Sequence, residues 1–325
     1  MMVLVVGCDS SHSLQNHLQD YQQRMANVLE VESPDNLTIS LPPYPALREL
    51  KLDIPATTIK LFEFYTLQHC ELYSLIAERN TSLGNLQLPS TRYLYERHLL
   101  DALRQCLMDT TDTKLREKLT SWEQTKTQQI PMVWADLIQL SSELKQGFSA
   151  NFGLIKGNEK DGLSLSKVAL NYLVQIDKNK HVNSAELEQH LQHLMNNPLP
   201  AKLWLSQLTL TKHIHQSTAW LIQHKDQLQC ASNESKKKVE YLTNVFQQFF
   251  IEKIQPIASQ MNHYQYQLSP ILENMVAHPK LSPNFKHFIN QLNQQGFGNY
   301  QMAMQQHIHF WQSLFKRCNI KPGKR

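Results

Sequence analysis

Apolar positions recur along this chain at the three-to-four-residue spacing of helices, and strand-type alternation is rare. Leu14, Leu18, Tyr21, Met25, Val28 and Leu29 share one face, which predicts a helix over 13–29. Segment 31–55 breaks the pattern. Pro34, Pro42, Pro43, Pro45 and Pro55 forbid a continuous helix and favour an extended path along a surface. So long a loop is either functional or a packed wrapper. Leu41, Tyr44, Leu47, Leu50 and Leu52 favour the wrapper, because they give it apolar groups to bury. Segment 57–79 then carries Leu61, Phe64, Tyr65, Leu72, Leu75 and Ile76 on one stripe and reads as a single long, central helix.

Pro89-Ser90-Thr91 starts the next helix, with Leu99, Leu103, Cys106 and Leu107 on one face. Two more are expected over 112–128 and 131–144, the second opening at Pro131. Gly147, Gly153, Gly157 and Gly162 make 146–162 the candidate hinge or subdomain boundary. Beyond it, Leu203, Leu210, Ile214, Leu221 and Leu228 form one stripe, and Leu242, Val245, Phe246 and Phe249 another. Pro256 is expected to break or kink that second helix. Ser282-Pro283 is a start signal, followed by Phe285, Phe288, Ile289 and Leu292 at helical spacing. Gly296-Phe297-Gly298 is expected to end that helix, and Met304, Ile308, Trp311 and Phe315 line the last one. The expected fold is all-α: an elongated multi-helix bundle forming one domain over 9–325, with a proline-rich extended segment near its start.

Composition supports helix, since only 9 of 325 residues are glycine. The chain is long enough to bury a substantial core. No later stretch approaches the ~18 uninterrupted apolar residues of a membrane span. Net charge is +4, partly from Lys236-Lys237-Lys238 and the 321–325 tail. Aromatics do not interleave with these lysines as base-stacking platforms do, so no nucleic-acid partner is expected. The lysines read as solvated helix ends with at most a weak attraction to anionic lipid heads.

The first residues change the picture. Val5-Val6-Gly7-Cys8 has the form of a bacterial lipobox, in which the cysteine becomes the lipid-bearing first residue of the mature protein. The alternative is a short buried strand ending in a cysteine. Polar Asp9-Ser10-Ser11 follows at once and favours the lipobox. A secretory signal needs a basic stretch and roughly 7–15 apolar residues before the cleavage site, so 1–8 reads as a truncated signal, with a basic, apolar extension expected upstream of Met1. Cys8 is then the lipid-attachment residue, the membrane is the partner through that anchor, and the body faces the periplasm.

Four further cysteines remain: Cys70, Cys106, Cys230 and Cys318. An even number in an oxidising compartment suggests two disulfides with three possible connectivities. Helices joined by a short turn are usually adjacent, which favours Cys70–Cys106 and leaves Cys230 to Cys318. The alternative is four reduced thiols in a cytosolic protein, tied to the lipobox being false.

Chemical motifs are weak. Asp177, Asn179, Asn183 and Glu188 fall at calcium-loop positions, but Val182 stands where the sharp turn needs glycine. The plainer reading is a helix end followed by a cap, with Asn183 and Glu186 spaced as a capping box. Gly157 and Gly162 have phosphate-loop spacing, yet Leu163 stands where the lysine must be. Among 15 histidines, His190 and His193 share a helix face and could pair on a metal, whereas His213 with His215 and His307 with His309 diverge. No cysteine or carboxylate completes a tetrahedral set, so neither a metal nor a cofactor is expected. Glu96 with Arg97 and Glu78 with Arg79 read most simply as structural or surface charges.

The chain resembles an uncharacterised family of gammaproteobacterial lipoproteins, domain of unknown function 3080. The likeness is best from Cys70-Glu71-Leu72 through Ile76-Ala77-Glu78-Arg79-Asn80 to Ser82-Leu83-Gly84. It is weaker at Tyr95-Glu96, the Cys106 helix, Trp311 and Arg317-Cys318. The resemblance implies an envelope lipoprotein, supports the cysteine framework, and marks Glu78, Arg79 and Asn80 as a motif without an assigned role. The chain departs from the family pattern at its start, where the export signal is short. Asp9 after the lipidated cysteine is similar to the signal that retains enteric lipoproteins in the inner membrane. The expected function is a binding or scaffolding component of the cell envelope with an envelope protein as partner, rather than an enzyme. The alternatives are a hydrolase using Glu78, Arg79 or the His190–His193 pair, and a small-ligand binder with a cleft between helices.

Overall fold

The computed structural model describes residues 14–80, 88–149, 151–156, 161–178 and 181–320. Cys8, Asp9, the Ser82-Leu83-Gly84 end of the family motif, Gly157 and Asn179 lie outside them. Among the described residues the chain is helical, with no strand. It forms an elongated multi-helix bundle.

Helix α1 (Leu14–Leu29) buries Leu14, Leu18, Tyr21 and Met25 completely, as its stripe dictates. The proline-rich stretch that follows is extended apart from one turn, α2 (Leu47–Leu50). It wraps the bundle: Leu50 is buried, and Leu41, Tyr44, Leu52 and Ile54 pack against the core.

The single long helix expected over 57–79 is not formed. Instead α3 (Leu61–Tyr65) and α4 (Glu71–Arg79) are separated by a turn. In that turn Leu67 N–H donates to Phe64 O (3.1 Å) and Cys70 N–H to Leu67 O (2.8 Å). The turn buries Leu67 fully and leaves Cys70 extended at the α4 N-terminus, where its sulfur reaches Cys106. Burial and a cross-link outweigh the periodicity, which Gln68 and His69 already interrupt.

Helices α5 (Pro89–Asp109) and α6 (Thr113–Leu140) form a long antiparallel hairpin. Its pairs run in opposite directions along the two helices: Arg104–Glu123, Lys126–Glu96 and Arg92–Asp136. Asp112 caps α6 by accepting from Leu115 N–H at 2.9 Å. The break expected at Pro131 is absent, because α6 runs through it and only then gives way to α7 (Ser142–Ser149). Ile130, Val133 and Trp134 flank the proline and are buried, and this packing offsets the ~3 kcal/mol that proline costs a helix interior.

The second half comprises α8 (Leu163–Gln175), α9 (Ser184–Asn196), α10 (Leu199–Gln223), α11 (Asn233–Val245), α12 (Gln255–Val276), α13 (Pro283–Asn290) and α14 (Phe297–Cys318). Helix α10 packs along α14, α8 along both α9 and α12, and α1 against α11. Between Gly153 and α8, Ile155 is buried in the same core and its N–H donates to Ser206 Oγ at 2.9 Å.

Two further expectations are corrected here. Pro256 does not break its helix: α11 continues through a π-helical segment, Phe246–Ile254, into α12. A proline lacks the N–H of an i→i−4 bond, and a wider π turn absorbs that loss. Nor does Gly296 end α13, since a second π segment, Gln291–Gly296, joins α13 to α14 with Gly296 in ordinary right-handed geometry. A Cβ on Gly296 would lie 3.4 Å from the Gln291 carbonyl oxygen, so the glycine serves the close π turn.

The apolar interior falls into two clusters. The larger joins α1 and α7 to α14 with the base of the hairpin, including Tyr93, Leu100 and Ile130. The smaller lies at the outer end of the hairpin, where Leu67, Leu72, Leu75, Leu99, Leu103 and Leu119 pack around Cys106.

Candidate functional site

Where the two clusters meet, a strap crosses the α5–α6 hairpin. Residues 51–60 have no regular structure. Leu52 N–H donates to Asp136 Oδ1 at 3.1 Å, and Gln129 Nε2 donates to Pro55 O at 2.8 Å. Farther on, Glu63 pairs with Lys118 and Cys70 is bonded to Cys106. Between these ties the strap, α4 and the hairpin enclose a cleft of about 400 Å³.

The cleft has an apolar wall and a charged one. Leu72 and Ile76 of α4, Leu99 and Leu103 of α5 and Trp122 of α6 supply the first. Arg79, Arg92, Glu96 and Lys126 supply the second, with Asn80 and Gln129 beside them. Three basic side chains thus face one acid. Lys126 Nζ donates to Glu96 Oε2 at 2.7 Å, and both residues are buried. Arg92 Nη1 lies 3.3 Å from Asp136 Oδ2 behind the wall. Burial pushes the Asp136 carboxyl up, against the Leu52 N–H and the Arg92 charge that favour its anion. The Arg79 guanidinium sits 5.8 Å from the centre of the Tyr95 ring. Burial, reinforced by the nearby Glu96, pushes the Tyr95 hydroxyl up to about 12, so it stays a neutral donor, to Leu75 O at 3.3 Å. Chemically the cleft offers cations and an amide above an apolar wall, which suits a small ligand with an anionic head and an apolar body.

The motif residues fall unevenly. Arg79 and Asn80 line the cleft, while Glu78 is exposed on α4. Residues 18–322 match the family described as a protein of unknown function, DUF3080. The chain belongs to the DUF3080 family. No curated protein and no solved structure matches it.

In this DUF3080 chain both cysteine pairs are bonded: Cys70 to Cys106, with alpha carbons 5.5 Å apart, and Cys230 to Cys318, 5.6 Å apart. The second bond ties the end of α14 to the segment just after α10. His190 and His193 do not join the cleft. Their ring centres are 6.5 Å apart, and His190 packs 4.3 Å from the Tyr172 ring, where burial lowers its pKa. His213 and His307 are buried while His215 and His309 are exposed, so each of those pairs diverges. Asn183 caps α9 by accepting from Glu186 N–H at 3.0 Å, and Asp177 pairs with His278 at 3.4 Å. No helix among the described residues is long and apolar enough to cross a membrane.

Lys126, Arg92 and Trp122 were not singled out from sequence, and Glu96 appeared only as a structural or surface charge and in the weaker part of the family likeness. A signal was present. Lys126 continues the stripe Leu119, Trp122, Lys126, Ile130, Val133, and Glu96 continues Tyr93, Glu96, Leu100, Leu103. A charge on each of two facing apolar stripes marks a buried pair.

Proposed function

We propose that this chain is a lipid-anchored protein of the bacterial envelope that holds a small amphipathic anion in the cleft beneath its strap. Three observations support the reading. Val5-Val6-Gly7-Cys8 has lipobox form. Two disulfides suit an oxidising compartment. The observation that carries the binding role is the Glu96–Lys126 pair in a cleft whose other wall is apolar. Burying two ions costs several kcal/mol each, and a hydrophobic pair of similar volume often does as well for stability. A ligand whose anionic head competes for Lys126 gives the pair a use. The role is binding without turnover, because the charged groups of the cleft engage one another and act to position a ligand.

Two experiments test this. Tryptophan fluorescence of the purified chain is titrated with dodecanoate, dodecanol and dodecyltrimethylammonium. Dodecanoate is expected to bind at least tenfold more tightly than the other two. Glu96→Gln/Lys126→Met, which keeps the interior neutral, is expected to lose that preference. Equal binding of all three, or an unchanged preference in the double variant, contradicts the cleft reading. Separately, a fatty-acid analogue fed to cells expressing the gene from its native locus labels the wild type and not Cys8→Ser. A soluble, unlabelled wild type contradicts the anchor.

An envelope protein partner is a second reading, favoured by Leu61, Phe62 and Tyr65 of α3, which are 70%, 82% and 52% exposed. Crosslinking in native membranes through residues placed on α3 tests it.

A further inference from the structure

We infer that reduction of the Cys70–Cys106 bond uncovers a zinc(II) site made by His69, Cys70 and Cys106. The ligand-capable atoms of these three residues all lie within 4.8 Å of one another. Among the described residues no other group of three potential metal ligands is that close. The disulfide brings the two sulfurs together, and the imidazole of His69, the residue before Cys70, completes the group. His69 is exposed, at the end of the turn that delivers Cys70.

The site has the parts that zinc requires. Two thiolates and one imidazole form the three-ligand set that leaves a fourth position for water or another ligand. With Zn–S near 2.3 Å, two sulfurs on one tetrahedral ion stand roughly 3.8 Å apart. Opening the bond to that distance needs movement of one side chain. Cys106 is buried on α5, whereas Cys70 is half-buried at the start of α4 and is the side chain more exposed to solvent. Its place at a helix N-terminus also favours the thiolate.

The chemistry balances with a dithiol as the reductant. The dithiol supplies two electrons and two protons and is itself oxidised to a disulfide. The Cys70–Cys106 S–S bond breaks and two thiols form. Zinc(II) then binds the two sulfurs and the His69 nitrogen, and the two thiol protons are released to solvent. A disulfide oxidant reverses the step: it takes two electrons from the two thiolates and two protons from solvent, is itself reduced to a dithiol, and the Cys70–Cys106 bond re-forms with release of the zinc ion. The pair is thus a redox-gated metal site, and Cys230–Cys318 is a disulfide alone.

The test uses the full chain. It is reduced with an excess of dithiol, freed of reductant under anaerobic conditions, and titrated with zinc chloride against a chromophoric chelator. One tight zinc per reduced chain is expected and none in the oxidised chain. His69→Ala is expected to weaken binding at least tenfold. Cys70→Ser is expected to abolish it, and Cys230→Ser/Cys318→Ser to retain it. Unchanged affinity in His69→Ala, two equivalent zincs per chain, or retention of zinc by Cys70→Ser overturns the site. So does failure of the dithiol to free the Cys70 and Cys106 thiols. A chain that binds zinc only because it has unfolded is recognised by its indifference to His69→Ala, which also overturns the site.

Discussion

Lys126 Nζ lies 2.7 Å from Glu96 Oε2, with each side chain only 11% exposed, at the level where the two apolar clusters of the molecule meet. Among the described residues neither has a second ion pair, so removing one strands the other. Lys126→Met alone is expected to destabilise the chain by about 3–5 kcal/mol. Glu96→Gln/Lys126→Met is expected to recover most of that loss. Urea unfolding of the wild type and the two variants measures both values. A single variant as stable as wild type refutes the assignment of a committed buried pair.

His307 sets an acid limit on stability. Its Nδ1 is 2.8 Å from Thr218 Oγ1, and the Thr218 hydroxyl donates to Ile214 O, so the imidazole donates there. Tyr21 O–H donates to Nε2 at 2.9 Å. Burial lowers the His307 pKa to about 3, well below the unfolded value of about 6.5. The unfolded chain therefore binds a proton that the folded chain refuses. Stability from this group is complete above about pH 6.5 and falls as pH drops toward 3, by up to ~1.4 kcal/mol per pH unit. Burial lowers His213 in the same direction. His307→Gln is expected to be less stable at pH 7.5 and to show a shallower decline between pH 6.5 and 4. Denaturation midpoints across that range decide it, and parallel declines in the two proteins rule His307 out as the cause.

The disulfides make a graded prediction. Cys70–Cys106 spans a sequence separation of 36 and Cys230–Cys318 one of 88. Chain entropy sets upper limits of about 3.8 and about 4.6 kcal/mol for loops of those lengths. Cys230→Ser/Cys318→Ser is expected to cost the global fold more. Cys70→Ser/Cys106→Ser is expected to loosen α4 and the strap first. Hydrogen exchange of 52–80 in the second double variant checks this, and an unchanged pattern there contradicts it. Non-reducing peptide mapping reads the connectivity directly: a Cys70–Cys230 or Cys106–Cys318 peptide contradicts the fold as described.

Much of the helical framework was legible in the sequence because stripe and cap agree. The α1 face, the α5 start at Pro89, the Asn183 cap and the Ser282-Pro283 start all have their expected roles. Three of the misreadings share one cause. Pro131, Pro256 and Gly296 are strong local breakers, yet tertiary packing carries helix through all three, twice by way of π turns. At 57–79 the reverse holds, since a regular stripe is broken so that Leu67 and Cys70 reach the small core. The cleft was the least legible part. It is built by residues far apart in the chain, from Ile54 to Gln129, and of these only Leu72, Ile76, Arg79 and Asn80 lie in the best-matching stretch of the family motif.

The strap gives an independent check on the cleft. Gln129→Ala removes the bond to Pro55 O, while Leu52 still donates to Asp136. The expected outcome is a small loss of stability, about 1 kcal/mol, with several-fold faster release of bound dodecanoate in stopped-flow displacement. Release at the wild-type rate argues that the strap does not enclose the ligand.

The most direct test of the central claim is photoaffinity mapping with a diazirine-bearing dodecanoate on the purified, oxidised chain. Adducts are expected on the strap at Ile54 to Ile59, on Ile76 and Arg79 of α4, and on Trp122 and its neighbours in α6, all competed by unlabelled dodecanoate. Adducts confined to exposed Leu61, Phe62 and Tyr65, or spread over the surface without competition, would contradict it.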